Sequence, residues 1–265
     1  MLRLHTDKMI AEIEGQIGWI TFNNPTRRNA LSLEIWEALG SVLAQYQEHA
    51  NVRVVVMKGA GDKAFVSGAD ISEFEKQRQN AVAAEHYANV SGHANKMLYE
   101  LDKPLVAMIH GFCVGGGLGV ALGADVRFAT PDSKFGIPAA KLGLGYSFEG
   151  MKMLADLVGP SNAKDILFSG RLLDASEALS IGLVNQIVPV EELETAVREY
   201  AAVVAGNAPL TVKSVKAGIR EALKDPDRRD LVKLNEMIRQ CFNSQDYAEG
   251  RKAFMEKRRP VFTGK

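Results

Sequence analysis

From residue 105 to residue 125 the chain reads Leu-Val-Ala-Met-Ile-His-Gly-Phe-Cys-Val-Gly-Gly-Gly-Leu-Gly-Val-Ala-Leu-Gly-Ala-Asp. Residues 105–109 are a short apolar run behind Pro104, the pattern of a buried strand. Gly115, Gly116 and Gly117 then place three bare backbones in a row, with amide N–H groups that no side chain screens. Residues 118–122 are small and apolar and start a helix. A glycine turn opening a helix aims N–H donors, and the positive end of the helix, at whatever lies above it. Such a turn suits a phosphate, or an oxygen that becomes negative during a reaction. Close helix packing is the competing reading, because Gly and Ala let two backbones approach.

The chain before this stretch reads as strands and helices in alternation. Residues 9–14 and 17–22 alternate around Gly15-Gln16 and predict a β-hairpin with Gly15 in its turn. Residues 23–28, Asn-Asn-Pro-Thr-Arg-Arg, are turn chemistry with two cations. Ser32 caps a helix whose apolar face carries Trp36, Leu39, Val42, Leu43 and Tyr46. Residues 52–57 are a β-branched run and a central strand. Residues 64–66 form a short strand ending in Ser67-Gly68-Ala69-Asp70, a second place where small residues expose backbone N–H groups. An ordinary turn is the alternative for Ser67-Gly68, and a cap or loop brace for Asp70.

After a polar helical segment over 76–101, strands are expected at 105–109, 124–129, 134–137 and 183–188. A glycine-rich loop fills 139–150, and short helices at 154–158 and 162–168 flank Gly159-Pro160. Beyond residue 190 the strand signal stops, and 191–205, 209–223, 228–242 and 244–258 read as helices. The reading is an α/β body of repeated strand–strand–helix units over residues 1–195, then a helical region over 196–265. With no sheet of its own to cover, that tail is expected to pack on another subunit or over the active site.

Composition narrows the function. The 265 residues suit one large domain, and Lys+Arg and Asp+Glu are both 32, for a net charge of zero. Nothing global attracts nucleic acid or an anionic membrane. An anionic ligand must be met by local cations. Cys113 and Cys241 provide neither a disulfide framework nor a metal site, and Cys113 reads as a buried thiol. No signal peptide is visible and no apolar run reaches the roughly 18 residues of a membrane span. A cytoplasmic protein without a metal is expected.

Several stretches, in this order and spacing, identify a family. They are Asn-Pro-Thr-Arg-Arg-Asn-Ala-Leu-Ser over 24–32, Ala-Phe-Val-Ser-Gly-Ala-Asp-Ile over 64–71, and His-Gly-Phe-Cys-Val-Gly-Gly-Gly over 110–117. Ala124-Asp125, Phe135-Gly136-Ile137-Pro138 and Gly182-Leu183-Val184 follow. The chain resembles the crotonase superfamily, the enoyl-CoA hydratase/isomerase family, over nearly its whole length. The resemblance implies a spiral of ββα units with a C-terminal helical trimerisation region, and homotrimers or dimers of trimers. It implies an acyl-CoA thioester as substrate, in fatty acid metabolism, with no cofactor beyond the CoA that the substrate carries. It implies that the thioester carbonyl lies between the N–H groups of Ala69 and Gly116, an oxyanion hole. Substrate contacts are implied around those donors at Ser67, Gly68, Asp70, Ile71 and Gly115. Others are implied at Arg28, Ala30, Pro138 and Tyr146. Lys257 matches a family lysine that reaches the nucleotide end of CoA, and Arg27 and Lys63 are further cations near the same path.

The chain departs from the hydratase pattern at two positions. That pattern has a glutamate two residues past the Gly-Gly-Gly run and another after Phe-Gly-x-Pro; here they are Gly119 and Ala139. Adding water to a 2-enoyl thioester needs a base and an acid, each typically worth about 10²–10⁴-fold. The position used by dienoyl isomerases is Ser147. The nearest unexplained carboxylate is Glu149, where an apolar setting beside Tyr146 and Phe148 would suit it to acid/base work. A helix-start residue is the alternative. Tyr146 or Ser147 can orient water or a substrate group. The expected activity is that of an enoyl-CoA hydratase with weak ordinary hydration. Isomerisation, decarboxylation of a malonyl-type thioester or hydrolysis on the same fold is the second reading, and a non-catalytic acyl-CoA-binding protein the third.

Overall fold

A computed structural model describes residues 2–70 and 81–265. Strands β1 (Met9–Glu14) and β2 (Ile17–Phe22) pair antiparallel, and Gly15 turns between them at φ +58°. Helix α1 (Leu33–Glu48) starts where Ser32 Oγ accepts the Ile35 N–H at 3.4 Å. Its expected apolar face is buried. Tyr46 Oη reaches past that face to the carbonyls of Glu12 and Trp19, both at 2.8 Å. Gly18 makes room for the ring, since a Cβ there would stand 2.8 Å from it.

The chain then repeats one unit. β3 (Val54–Gly59) enters one sheet and β4 (Ala64–Val66) a second, and α2 (Ala81–Glu100) returns the chain. β5 (Leu105–Ile109) and β6 (Phe112–Val114) repeat the step, followed by α3 (Gly116–Leu122). β7 (Val126–Ala129) and β8 (Lys134–Gly136) repeat it again, followed by α4 (Phe148–Ser169). After β9 (Leu173–Asp174), α5 (Ala175–Ser180) and β10 (Gln186–Ile187), the sheets have orders β1-β2-β3-β5-β7-β10 and β4-β6-β8-β9. In the first, every neighbour pair after the hairpin is parallel. Corners between the sheets stack closely. At Gly111, φ +67°, a Cβ would lie 2.2 Å from the Lys63 carbonyl oxygen, so only glycine fits between β5 and β6.

Two elements were not foreseen. β9 and α5 are too short for a periodic signal, and α5 begins at a capping box between Asp174 and Glu177. The two short helices expected around Gly159-Pro160 extend to a single span from Phe148, broken at Gly159 (φ +79°).

The tail also differs from expectation. Its helices are α6 (Leu193–Ala205), α7 (Pro209–Ala222), α8 (Leu231–Phe242) and α9 (Gln245–Met255). The first does cover a sheet: Leu193, Val197, Ala201 and Ala205 of α6 pack on Trp19, Val54, Val56, Val106 and Phe128. α6 spans residue 195, so its buried stripe joins the body on both sides of that point. Lys216 of α7 then ties the starts of the interior strands β5 and β7, donating to Asp125 Oδ2 at 2.7 Å and to the Lys103 carbonyl at 2.8 Å. Asp125 Oδ2 also accepts the Leu105 N–H at 2.7 Å, at the start of β5.

Candidate active site

β4 and β6 run parallel and end side by side. Both therefore deliver their following loops, 67–70 and 114–117, to one place. Gly115 adopts φ +57°, ψ −123°, which L side chains avoid, and its N–H donates to the Gly136 carbonyl at 2.8 Å. Gly68 has φ +118°, and a Cβ there would meet the Val114 carbonyl oxygen at 3.4 Å. A Cβ on Gly115 would meet Gly68 Cα at 3.7 Å. One on Gly117 would stand 2.1 Å from the Val66 carbonyl oxygen. Gly117 lets the second loop close on the end of β4, and Gly68 and Gly115 supply the positive-φ backbone that the two turns need.

The 67–70 loop is held on its other side by the turn after β2. Ser67 N–H donates to the Arg28 carbonyl at 3.1 Å, Leu31 N–H to Gly68 at 2.7 Å, and Asp70 N–H to Leu31 at 3.0 Å. Gly68 and Asp70 thus spend their bonds on Leu31, and the alternation of an extended backbone turns the Ala69 N–H the other way. A Cβ built on Gly116 would lie 3.8 Å from the Ala69 nitrogen and 3.3 Å from Leu31 Cδ1. Among the described residues neither the Ala69 nor the Gly116 N–H has an acceptor. Both residues are only half-buried. Two free donors from separate loops on one small space are an arrangement that can serve a single oxygen.

The brace behind this loop was missed by the sequence reading as a separate feature. Asn29 is fully buried at φ +57°; its side chain accepts the Asn24 N–H at 2.9 Å and donates to Ala60 at 2.9 Å and Ala64 at 2.8 Å. An asparagine after two cations in a turn, where left-handed backbone is tolerated, was the available signal.

Gly119 lies three residues beyond Gly116 on α3 and shares its face. The atom nearest to where its side chain would begin is Tyr146 Oη, at 3.5 Å. The Tyr146 ring fits there because Gly150 has no side chain; a Cβ would stand 2.6 Å from the ring. Tyr146 is packed against the core, and burial raises its hydroxyl above the ordinary pKa. Pro138 follows β8, whose end is tied to Gly115, and Ala139 behind it is buried.

The other expected residues divide. Ser147 is committed to structure: its Oγ accepts the Gly150 N–H at 3.2 Å and caps α4. Glu149 needs correction. It sits in the first turn of α4, exposed beside a Phe148 that is itself 71% exposed, so the apolar enclosure expected of it is missing. The helix start, which favours a carboxylate, accounts for it. Arg28 is exposed with its guanidinium 5.3 Å from the Phe112 ring, next to the loop it holds. Ala30 is buried beneath the same turn. Lys63 is exposed at the start of β4, and Lys257 is exposed beyond α9 at φ +55°. Ile71 lies outside the described residues. Cys113 is buried, donates to the Gly117 carbonyl at 3.6 Å, and has its thiol pushed up by burial, as a packing residue should. His110 pairs with Asp132 at 3.3 Å.

Residues 12–265 match the family model described as enoyl-CoA hydratase/isomerase. The chain is 33% identical over 256 residues to a short-chain-enoyl-CoA hydratase of Clostridium acetobutylicum, covering 97% of each chain. It is 32% identical to a crotonyl-CoA hydratase of Syntrophomonas wolfei, covering 98% of this chain and 99% of that one. Among solved structures, an enoyl-CoA hydratase/carnithine racemase from Magnetospirillum magneticum superposes with a TM-score of 0.93 at 36% identity, over 98% of this chain and 97% of its own. The enoyl-CoA hydratase of Bacillus anthracis gives 0.88 at 32% identity, over 98% and 100%. This extent of agreement in sequence and fold makes the chain an enzyme of the enoyl-CoA hydratase/isomerase family.

Proposed function

We propose that this enzyme binds acyl-CoA thioesters with the thioester carbonyl between the N–H groups of Ala69 and Gly116, and accelerates reactions in which that oxygen becomes an enolate. The observation that carries the reading is the pair of acceptor-free amides on touching loops, with a Cβ position on Gly116 only 3.8 Å from the Ala69 nitrogen. Preorganised donors of this kind are typically worth about 3–4 kcal/mol each in the transition state. Ser67, Gly68, Asp70, Gly115 and Pro138 shape the surrounding pocket. Arg28 and Lys257 meet the phosphates of CoA. The protein works in the cytoplasm as a trimer or a pair of trimers, in fatty acid metabolism; the exposure of Val232, Phe254 and Met255 at 80% or more on α8 and α9 supports such assembly.

The relatives carry hydratase names, but plain hydration is slow in this chain. Gly119 and Ala139 supply no carboxylate to activate water or deliver a proton. Decarboxylation of a malonyl-type thioester is the second reading, favoured by the same absence. The carbon–carboxylate bond breaks as CO₂ leaves, its electron pair passes to the thioester oxygen, and water later returns a proton to the α-carbon, with no carboxylate base required.

A panel of CoA thioesters, 2-enoyl, 3-enoyl and malonyl-type, followed by mass spectrometry tests the proposal. Saturable binding with turnover of at least one enolate-forming substrate is expected, and crotonyl-CoA hydration at least 10²-fold below the other reaction. Rapid crotonyl-CoA hydration would contradict the reading of positions 119 and 139. Failure of every thioester to bind would end the assignment.

A further inference from the structure

Two stretches that stand out in the sequence, Ala124-Asp125 and Gly182-Leu183-Val184, have no part in the proposed site. They meet at Arg127. This residue lies in β7 between Val126 and Phe128, which pack in the cluster under α6. Strand alternation turns Arg127 to the other face of the sheet, where it is 3% exposed. Its Nε donates to the Leu183 carbonyl at 2.9 Å, and its Nη1 to the carbonyls of Ala121 at 3.1 Å and Ala124 at 2.5 Å. The strand is held at the same residue. Arg127 N–H donates to Asn185 Oδ1 at 2.9 Å, and Asn185 N–H donates to the Arg127 carbonyl at 3.0 Å. No carboxylate among the described residues accepts from the guanidinium; Asp125 Oδ2 serves Lys216 and the Leu105 N–H. A buried charge is costly unless hydrogen bonds offset it. Two of the three carbonyls that do so here lie at the C-terminal end of α3.

That helix needs an external tie. Three of its seven residues, Gly116, Gly117 and Gly119, are glycine, the poorest helix former after proline. Its first end is fixed by the Gly115 N–H on the Gly136 carbonyl, and its other end by Arg127. Gly116 and Ala121 are five residues apart in one helix, about 7.5 Å along the axis, so a shift of Ala121 carries to the Gly116 amide. We propose that Arg127 is a positioning residue for the oxyanion site: by gripping the far end of α3 and tying it to β7 and to residue 183, it sets where the Gly116 N–H points. This rests on the thioester carbonyl lying between Ala69 and Gly116, and it adds a residue that acts on that site without touching substrate. The fork of the guanidinium matters as well as its charge, since two nitrogens serve carbonyls on two separate segments.

Two variants of the intact enzyme test the assignment. Arg127→Met removes the fork together with its buried charge, and Arg127→Lys keeps the charge on a single nitrogen. Each is measured for kcat and KM on the best substrate of the thioester panel, and for the infrared carbonyl stretch of bound butyryl-CoA isotopically labelled at the thioester carbonyl. Hydrogen bonds to that oxygen lower the stretch in the native complex relative to free butyryl-CoA. In Arg127→Met the lowering is expected to shrink, with kcat down about 10- to 10²-fold and KM within about threefold. Arg127→Lys is expected to fall between it and the native enzyme, and either variant alone decides the matter. Lys216→Met loosens the starts of β5 and β7 without touching α3; it should lower the melting temperature and leave kcat and the stretch as in the native enzyme. Native kcat and a native stretch in the Arg127 variants, or the same losses in Lys216→Met, would overturn the role of Arg127. A native complex whose bound carbonyl shows no lowering would instead end the oxyanion site, and failure of butyryl-CoA to bind would end the acyl-CoA reading.

Discussion

Gly116 and Gly117 are neighbours at the start of α3, yet the same substitution, to alanine, should have opposite effects at the two. A methyl at 117 would lie 2.1 Å from the Val66 carbonyl oxygen and 2.7 Å from its carbon, both backbone atoms of β4. No rotamer relieves this; α3 and β4 must move apart by about an ångström. Overpacking of this kind typically costs about 1–3 kcal/mol, which for a chain of this size lowers the melting temperature by roughly 2–10 °C. At 116 the backbone is helical, and the nearest atom to a new methyl is Leu31 Cδ1 at 3.3 Å, the end of a flexible side chain. The gain of up to about 1 kcal/mol from replacing glycine in a helix offsets that crowding, so stability should change little. That methyl nevertheless projects into the space beside the Ala69 N–H, where the carbonyl oxygen is proposed to sit. Loss of one donor's contribution lowers kcat about 10²–10³-fold. Thermal unfolding and steady-state kinetics on the best substrate of the thioester panel separate the two. Gly116→Ala with native melting and turnover within about threefold of the native enzyme would refute the oxyanion site. Gly117→Ala with an unchanged melting temperature would refute the closeness of α3 to β4.

Restoring the carboxylates should restore hydration. The double variant Gly119→Glu, Ala139→Glu is expected to raise crotonyl-CoA hydration by about 10²-fold or more, since the nearest atom to a Cβ at 119 is Tyr146 Oη at an ordinary 3.5 Å; a spectrophotometric assay of enoyl-thioester loss that finds no gain argues against position 119 facing the substrate. Asp125→Ala removes the partner of Lys216, whose side chain is 9% exposed. Urea unfolding should show a loss of about 2–4 kcal/mol, partly recovered by adding Lys216→Met, which removes the stranded charge. Lys103 donates to the carbonyls of Tyr46 at 2.5 Å and His49 at 2.7 Å, and partial burial holds its pKa down to about 8. The unfolded chain keeps the ordinary value of about 10.4, so between pH 8 and 10 it binds more protons and the native state gains stability as pH rises. Relative to Lys103→Met, the native protein should therefore gain across that window in urea unfolding; a gap that stays constant would show that the ammonium is not desolvated.

The hairpin, α1 and the parallel strands are legible in the sequence because each is a local pattern. Alternation around Gly15, the Ser32 cap with its apolar stripe, and the apolar run 105–109 each specify their element without help. Both glycine loops are legible for the same reason, since bare backbone is visible in the sequence. What is not local is not legible. Nothing in Gly150 says that it makes room for the Tyr146 ring, nor that this ring reaches Gly119, twenty-seven residues before it. Glu149 was misread on its environment because Phe148 beside it suggests an apolar enclosure, while the turn of α4 leaves both in solvent. Residues of α6 look like a free amphipathic helix in sequence, because the face of the sheet that they cover includes Trp19, more than 170 residues away.

The division of labour in the site follows from what holds each part. Ala69 and Gly116 would act through backbone atoms, and those atoms are fixed by contacts of the fold itself: Gly117 against Val66, and Leu31 bonded on both sides of Ala69. A change in any of them disturbs the fold. Positions 119 and 139 are different. Their side chains hold little together: among the described residues Gly119 has only the Tyr146 hydroxyl within 4 Å of a would-be Cβ, and Ala139 adds one methyl to the core. The groups that move protons can thus be exchanged without loosening the amides that hold charge. A chain of this fold can keep the stabilisation of an enolate while losing the means to hydrate, as proposed for this one.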